Sequence, residues 1–85
     1  MQKFTYVVKD ELGIHARPAG MLTKEAKKYS STITLKKGDK EVNVLKLMAL
    51  MGLGVKCGQE ITLRCDGEKE AEAIVALEKF LKENL

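Results

Sequence analysis

What this chain does without narrows its chemistry before any motif is read. It has no tryptophan, two phenylalanines and two tyrosines, too few flat rings for the stacking platforms of a single-strand binder. A net charge of only +3 likewise argues against a dedicated nucleic-acid interface. No apolar run approaches the roughly 18–20 residues of a membrane span, so direct insertion into a bilayer is not expected. The two cysteines, Cys57 and Cys65, stand too far apart for a Cys-x-x-Cys motif, and neither has a histidine nearby. A single histidine with no cysteine or carboxylate cluster beside it cannot assemble a zinc shell, so no metal and no cofactor are expected. The first residues run straight into a strand-like pattern. The expectation is a chain without a secretory or transit segment, in a cytosol that keeps thiols reduced.

What remains has the composition of an ordinary globule. Eighty-five residues, 45% of them apolar, suffice for one domain, 1–85, with a core that needs no disulfide or metal brace. Residues 2–8 alternate, placing Phe4, Tyr6 and Val8 on one face of a first strand. Ala19, Leu22, Ala26 and Tyr29 then form the stripe of an amphipathic helix from about Ala16 to Lys28. Thr32–Lys36 and Glu41–Val44 read as strands with Ile33, Leu35, Val42 and Val44 inward, joined by a Lys37-Gly38-Asp39-Lys40 turn. A short helix follows over Lys46–Met51, ended by Gly52 and Gly54. Gln59–Cys65 is the fourth strand, with Cys65 in step with Ile61 and Leu63 as a small core residue. Asp66-Gly67 turns into a last helix, Lys69 to Asn84, with Ala71, Ile74, Leu77 and Leu81 as its buried stripe. The order βαββαβα fits an α+β, two-layer arrangement with all helices on one face of a mostly antiparallel sheet.

The only histidine, the only proline and one of just two arginines fall together in Gly13-Ile14-His15-Ala16-Arg17-Pro18-Ala19. Pro18 is tolerated in the first turn of a helix, where a missing N–H leaves no bond unmade. His15 therefore sits at or just before a helix N-terminus, where free amides and the positive dipole end favour an anion. Arg17 adds a permanently charged fork suited to phosphate or carboxylate oxygens. A histidine so placed can carry a transferable phosphoryl group; a histidine that merely caps the helix or fills a gap is the plainer alternative. Gly20 inside the helix costs about 1 kcal/mol against alanine and suggests a flat surface beside His15. Lys24, Lys27 and Lys28 follow on the same helix, able to steer an acidic partner or simply to face water. The middle helix is apolar too far round: Leu50 and Leu53 supply a buried stripe, leaving Leu47, Met48 and Met51 partly to water. Exposed clusters of this kind mark interaction sites, and methionine suits a surface that accepts several partners.

The Gly13–Ala19 stretch resembles the active-site signature of the HPr family, histidine-containing phosphocarriers of the bacterial phosphoenolpyruvate-dependent sugar phosphotransferase system. The likeness covers essentially the whole chain, including Val42-Asn43, the Met48…Met51-Gly52-Leu53-Gly54 run, and Gly58 ahead of the last strand. The resemblance implies an open-faced sandwich of four antiparallel strands in the order 1-4-2-3 with three helices on one face. It implies a monomeric carrier that takes a phosphoryl group from phospho-Enzyme I on the Nδ1 atom of His15 and passes it to EIIA domains of sugar permeases. Arg17 and the first-turn groups at Ala16 and Pro18 would hold the oxygens. Gly20, Lys24, Lys27, Lys46, Leu47, Met48 and Met51 would meet the partner proteins, transcriptional regulators among them. In many Gram-positive members a serine opening the middle helix is phosphorylated by a dedicated kinase; here that position is Lys46. Other readings stand beside this one: a paralogue in a nitrogen or regulatory phosphorelay, a binding regulator whose histidine is never phosphorylated, and a small RNA-binding domain, which the scarcity of aromatics disfavours.

Overall fold

Alternating side chains build the sheet. The computed structural model describes all 85 residues, and its elements run β1 (Gln2–Val7), α1 (Ala16–Ala26), β2 (Thr32–Lys37), β3 (Lys40–Asn43), α2 (Leu47–Gly52), β4 (Glu60–Asp66) and α3 (Glu70–Asn84). In β2, Ile33 and Leu35 point inward; in β4, Ile61, Leu63 and Cys65 do so. The three strand pairings are antiparallel and the order is β1-β4-β2-β3. This is the α+β open-faced sandwich that the family resemblance implies. Register sets Phe4, Leu63, Leu35 and Val42 side by side across all four strands. A slip of one residue would turn that whole row to water, so burial holds the register.

Three helices cover the inner face. Ala19, Leu22 and Ala26 of α1, Leu50 of α2, and Ala73, Leu77, Phe80 and Leu81 of α3 are buried against the strands in one continuous core. Burial pushes the Cys65 thiol up to about 11, so this cysteine is a packing residue. The other face of the sheet is polar. There Thr34 Oγ1 donates to Glu41 Oε2 at 2.7 Å, and Arg64 Nη1 donates to both Glu41 carboxylate oxygens at 3.0 and 3.3 Å. The Thr34 hydroxyl first, and Arg64 second, hold Glu41 below the usual carboxylate range.

Most element ends differ from the sequence expectation by one or two residues, and two of these ends and one helix face have a visible cause. Helix α1 stops at Ala26 and not Lys28, because Lys28 N–H and Tyr29 N–H turn to the carbonyls of Glu25 and Ala26, a tighter final turn. Strand β3 is shifted one residue toward its start and ends at Asn43, whose side-chain oxygen accepts the Leu45 N–H at 2.8 Å. The stripe of α3 is rotated: Ala73 is buried and Ala71 exposed, with Ile74 half-buried. Ala71 lies about 120° round the helix from Leu77, and a methyl group has too little area to outweigh the Phe80 ring in setting that rotation.

Three contacts fix the parts that carry the site. Thr23 Oγ1 donates to the Val44 carbonyl at 2.7 Å in a buried contact, tying α1 to the chain leaving β3. Lys37 Nζ donates to the carbonyls of Leu53 and Gly54 at 3.0 and 3.1 Å, closing the end of α2 from a neighbouring strand. Gly13 has φ +68, and a Cβ there would stand 2.2 Å from the Val55 carbonyl oxygen. No side chain fits, and the left-handed conformation is itself unfavourable for one. Gly13→Ala is therefore expected to destabilise the fold by at least about 2 kcal/mol. Urea unfolding measures this, and a midpoint equal to wild type would show that the loop yields instead.

Candidate functional site

His15 occupies the N-cap position of α1 in extended conformation, φ −107 and ψ −172, and its carbonyl accepts the Ala19 N–H at 3.0 Å. Its imidazole makes no capping hydrogen bond. The ring is half-buried, and the capping role is not the one it plays. The amides of His15, Ala16 and Arg17 donate to no group of the chain, while the next residue, Pro18, has no N–H to offer. Ala19 is already bonded, so the amide contribution to an anion stops at Arg17. Pro18 is buried and serves as wall, not as donor.

Arg17 is exposed and donates to nothing. The contrast with Arg64 is instructive, since Arg64 is held by Glu41 across the sheet. One arginine of the two is neutralised by its own chain; the other stands free beside the histidine. His15, Arg17 and Pro18 share an open depression of about 280 Å³ with Asp10, Met21 and Asn84. Sequence reading missed those last three. Asp10 and Asn84 belong to segments that only the tertiary fold brings here, whereas Met21, four residues beyond Arg17, was legible from helical spacing.

The remaining expected residues fall into two groups. On α1, Gly20 has open space around it, so a side chain would fit there, and the flatness is real without being sterically required. Lys24 and Lys27 are exposed without a carboxylate partner, but Lys28 pairs with Glu25 at 3.3 Å. On α2, which packs against α1, Lys46 is the exposed N-cap residue in extended conformation, φ −100 and ψ 92. Met48 is 79% exposed and Leu47 38%, so both form an apolar patch. Met51, the fifth residue of the helix, is half-buried and packs on the core, so it points only partly to water. Leu45, 44% exposed, is a further exposed apolar residue just before the helix and had no periodic signal to announce it.

A histidine at a helix N-terminus, with three unpaired amides and an unpaired guanidinium, can receive a charged oxyacid group. The family model described as the phosphotransferase-system HPr component phosphorylation site matches residues 2–83. The chain belongs to the HPr family. It is 42% identical over 81 residues to the phosphocarrier protein HPr of Mycoplasma capricolum, covering 95% of this chain and 91% of that one. A solved mycoplasma histidine-containing phosphocarrier superposes with a TM-score of 0.93 at 39% identity, over 96% of this chain and 93% of that one. The Bacillus subtilis catabolite repression protein Crh, described as a swapped, intertwined dimer, matches with a TM-score of 0.79 at 36% identity, over 100% and 98%.

Arg17→Ala is expected to leave the fold intact, since the exposed side chain makes no hydrogen bond or ion pair, and to slow phosphorylation of the chain by about 10²–10³-fold, the usual effect of removing one charge-stabilising donor. Arg17→Lys should recover only part of the rate, because a point charge lacks the planar fork. Stopped-flow or quenched labelling decides it. An unchanged rate in the alanine variant would assign the stabilisation to the backbone amides alone.

Proposed function

We propose that this chain is the phosphocarrier between phospho-Enzyme I and the EIIA domains of sugar permeases, with His15 as the residue that carries the group. The observation that supports the reading best is the free imidazole of His15 beside the unpaired Arg17. In the transfer, the Nδ1 lone pair of His15 attacks phosphorus. The bond from phosphorus to the donor breaks as the new phosphorus–nitrogen bond forms. Catalysis of such a step is positioning and charge neutralisation. Arg17 and the amides of Ala16 and Arg17 stabilise the equatorial oxygens, and Pro18 holds the turn in place. The same parts run in reverse when EIIA attacks.

Recognition divides between two surfaces. Lys24 and Lys27 steer acidic partners over a distance, and Leu47 and Met48, with Leu45, supply an apolar contact on α2. Gly20 on α1 and the half-buried Met51 on α2 complete the partner surface. The carrier acts in the cytoplasm, as one domain and as a monomer. No helix is long and apolar enough to cross a membrane. The deciding experiment is incubation with a bacterial Enzyme I and phosphoenolpyruvate, followed by intact-mass measurement. One acid-labile, base-stable phosphoryl group should appear on wild type and none on His15→Ala. A labelled alanine variant refutes the assignment.

Lys46 completes the reading. Its extended backbone opens α2 where many relatives carry a regulatory serine, and a lysine cannot accept the kinase's phosphoryl group. Phosphoserine would set about 1.5–2 negative charges at this helix end; Lys46 sets a permanent cation there. The carrier is thus locked in its transfer-competent form. An HPr kinase with ATP should leave the protein unlabelled, and Lys46→Asp should slow transfer from Enzyme I several-fold. Label on Ser30 or Ser31, or full activity of the aspartate variant, would contradict this.

A further inference from the structure

Asp10 is the only acidic residue lining the depression that holds His15 and Arg17. Its position is fixed from several sides. Oδ1 accepts the Leu12 N–H at 2.8 Å, the Asp10 carbonyl accepts the Gly13 N–H at 2.9 Å, and its own N–H donates to the Leu85 carbonyl at 2.7 Å. Its carboxylate nevertheless forms no ion pair, with Arg17 or with any lysine. A free cation and a free anion thus face the same small space without neutralising each other.

A carrier must release what it binds. Arg17 and three amides alone would hold a phosphoryl dianion well, and a group bound too well in the ground state is slow to leave. A fixed carboxylate in the depression raises the energy of the phosphorylated form by direct repulsion, while in the empty form it faces only the Arg17 cation, so both terms favour release.

We propose that Asp10 sets the transfer potential of the phosphorylated carrier, acting as a positioned charge and not as an acid or base; the proposal rests on the phosphocarrier reading above. When the group moves on, the phosphorus–Nδ1 bond breaks as the bond to the acceptor forms. Asp10 neither gains a proton nor forms a bond, and acts only through its field on the oxygens.

Two substitutions separate the charge from the turn it also supports. Asp10→Asn keeps an oxygen for the Leu12 amide and removes the charge. Asp10→Glu keeps the charge and disturbs the turn. Glu11→Gln, at an exposed neighbour outside the depression, controls for net charge. The measurement is the equilibrium distribution of labelled phosphoryl between Enzyme I and the carrier at known concentrations, with urea unfolding of each variant alongside. Asp10→Asn should shift the equilibrium toward the phosphorylated carrier by about three- to tenfold, as expected for one half-exposed charge near a dianion. The shift should shrink as salt rises. Asp10→Glu should stay near the wild-type distribution even where it loses stability, and Glu11→Gln should not move it. An unmoved equilibrium in Asp10→Asn overturns the proposal. So does an equal shift in Asp10→Glu, which would mark a structural role, or in Glu11→Gln, which would mark a general charge effect. Failure of wild type to be labelled on His15 would instead refute the phosphocarrier reading on which the proposal stands.

Discussion

The approach to the site hangs on one backbone contact, Gly13 lying against the Val55 carbonyl with no room for a Cβ. Around it the 8–14 and 55–59 segments are laced together. Ile14 N–H donates to that same carbonyl at 3.1 Å, Val8 N–H to Gln59 O at 3.0 Å, and Gly58 N–H to Val8 O at 2.8 Å. Gln59 Oε1 in turn accepts the Lys56 N–H at 2.8 Å. The loop after α2 thus supports the turn before α1. Without it the residues leading to His15 would be an exposed connection of several residues with no reason to hold one geometry. With it the N-terminus of α1 is set on a braced turn, which a site relying on positioning requires.

How legible was this in the sequence? Period two was enough for the strands, because Ile33/Leu35 and Ile61/Leu63/Cys65 have one buried face and no competing pattern. The helix stripe from Ala19 to Ala26 was equally plain. The stripe of α3 was not. Ala71 and Ala73 look alike in a row of letters, and only the packing of Leu77, Phe80 and Leu81 in the core chooses between them. The strand order came from family likeness, since periodicity says which face a strand shows and nothing about its neighbour.

At the site, the histidine, arginine and proline announced themselves by rarity and spacing. That His15 leaves its ring free, and that Arg17 lacks a partner where Arg64 has one, are facts of side-chain placement that no spacing rule contains. Lys37 is the sharpest case. A lysine opening a hairpin turn reads as solvent-facing, yet its ammonium group reaches two carbonyls at the end of α2 and fixes the helix that displays Met48. Long side chains make long-range caps that local pattern cannot foresee.

These placements share a physical logic. Some polar groups away from the site are answered within the chain: Glu41 by Thr34 and Arg64, the end of α2 by Lys37, the Val44 carbonyl by Thr23. Lysines and carboxylates without an ion-pair partner, such as Lys3, Lys56, Lys69 and Glu60, stand elsewhere on the surface too; what is particular to the start of α1 is that unpaired amides, an unpaired guanidinium and a carboxylate without an ion-pair partner converge there. The His15, Ala16 and Arg17 amides, the Arg17 guanidinium and the Asp10 carboxylate line or adjoin one depression, and Lys24 and Lys27 continue along the helix. Folding gains little from groups left solvated at a surface, so their gathering does not follow from stability. It follows if each is answered only by something that arrives: the phosphoryl oxygens by Arg17 and the amides, the partner's acidic face by the lysines. On that view α2 carries the complementary demand. Leu47 and Met48 are apolar groups left in water beside a helix of unpaired charges, and a partner that covers both at once meets fields and contact area that neither helix presents alone.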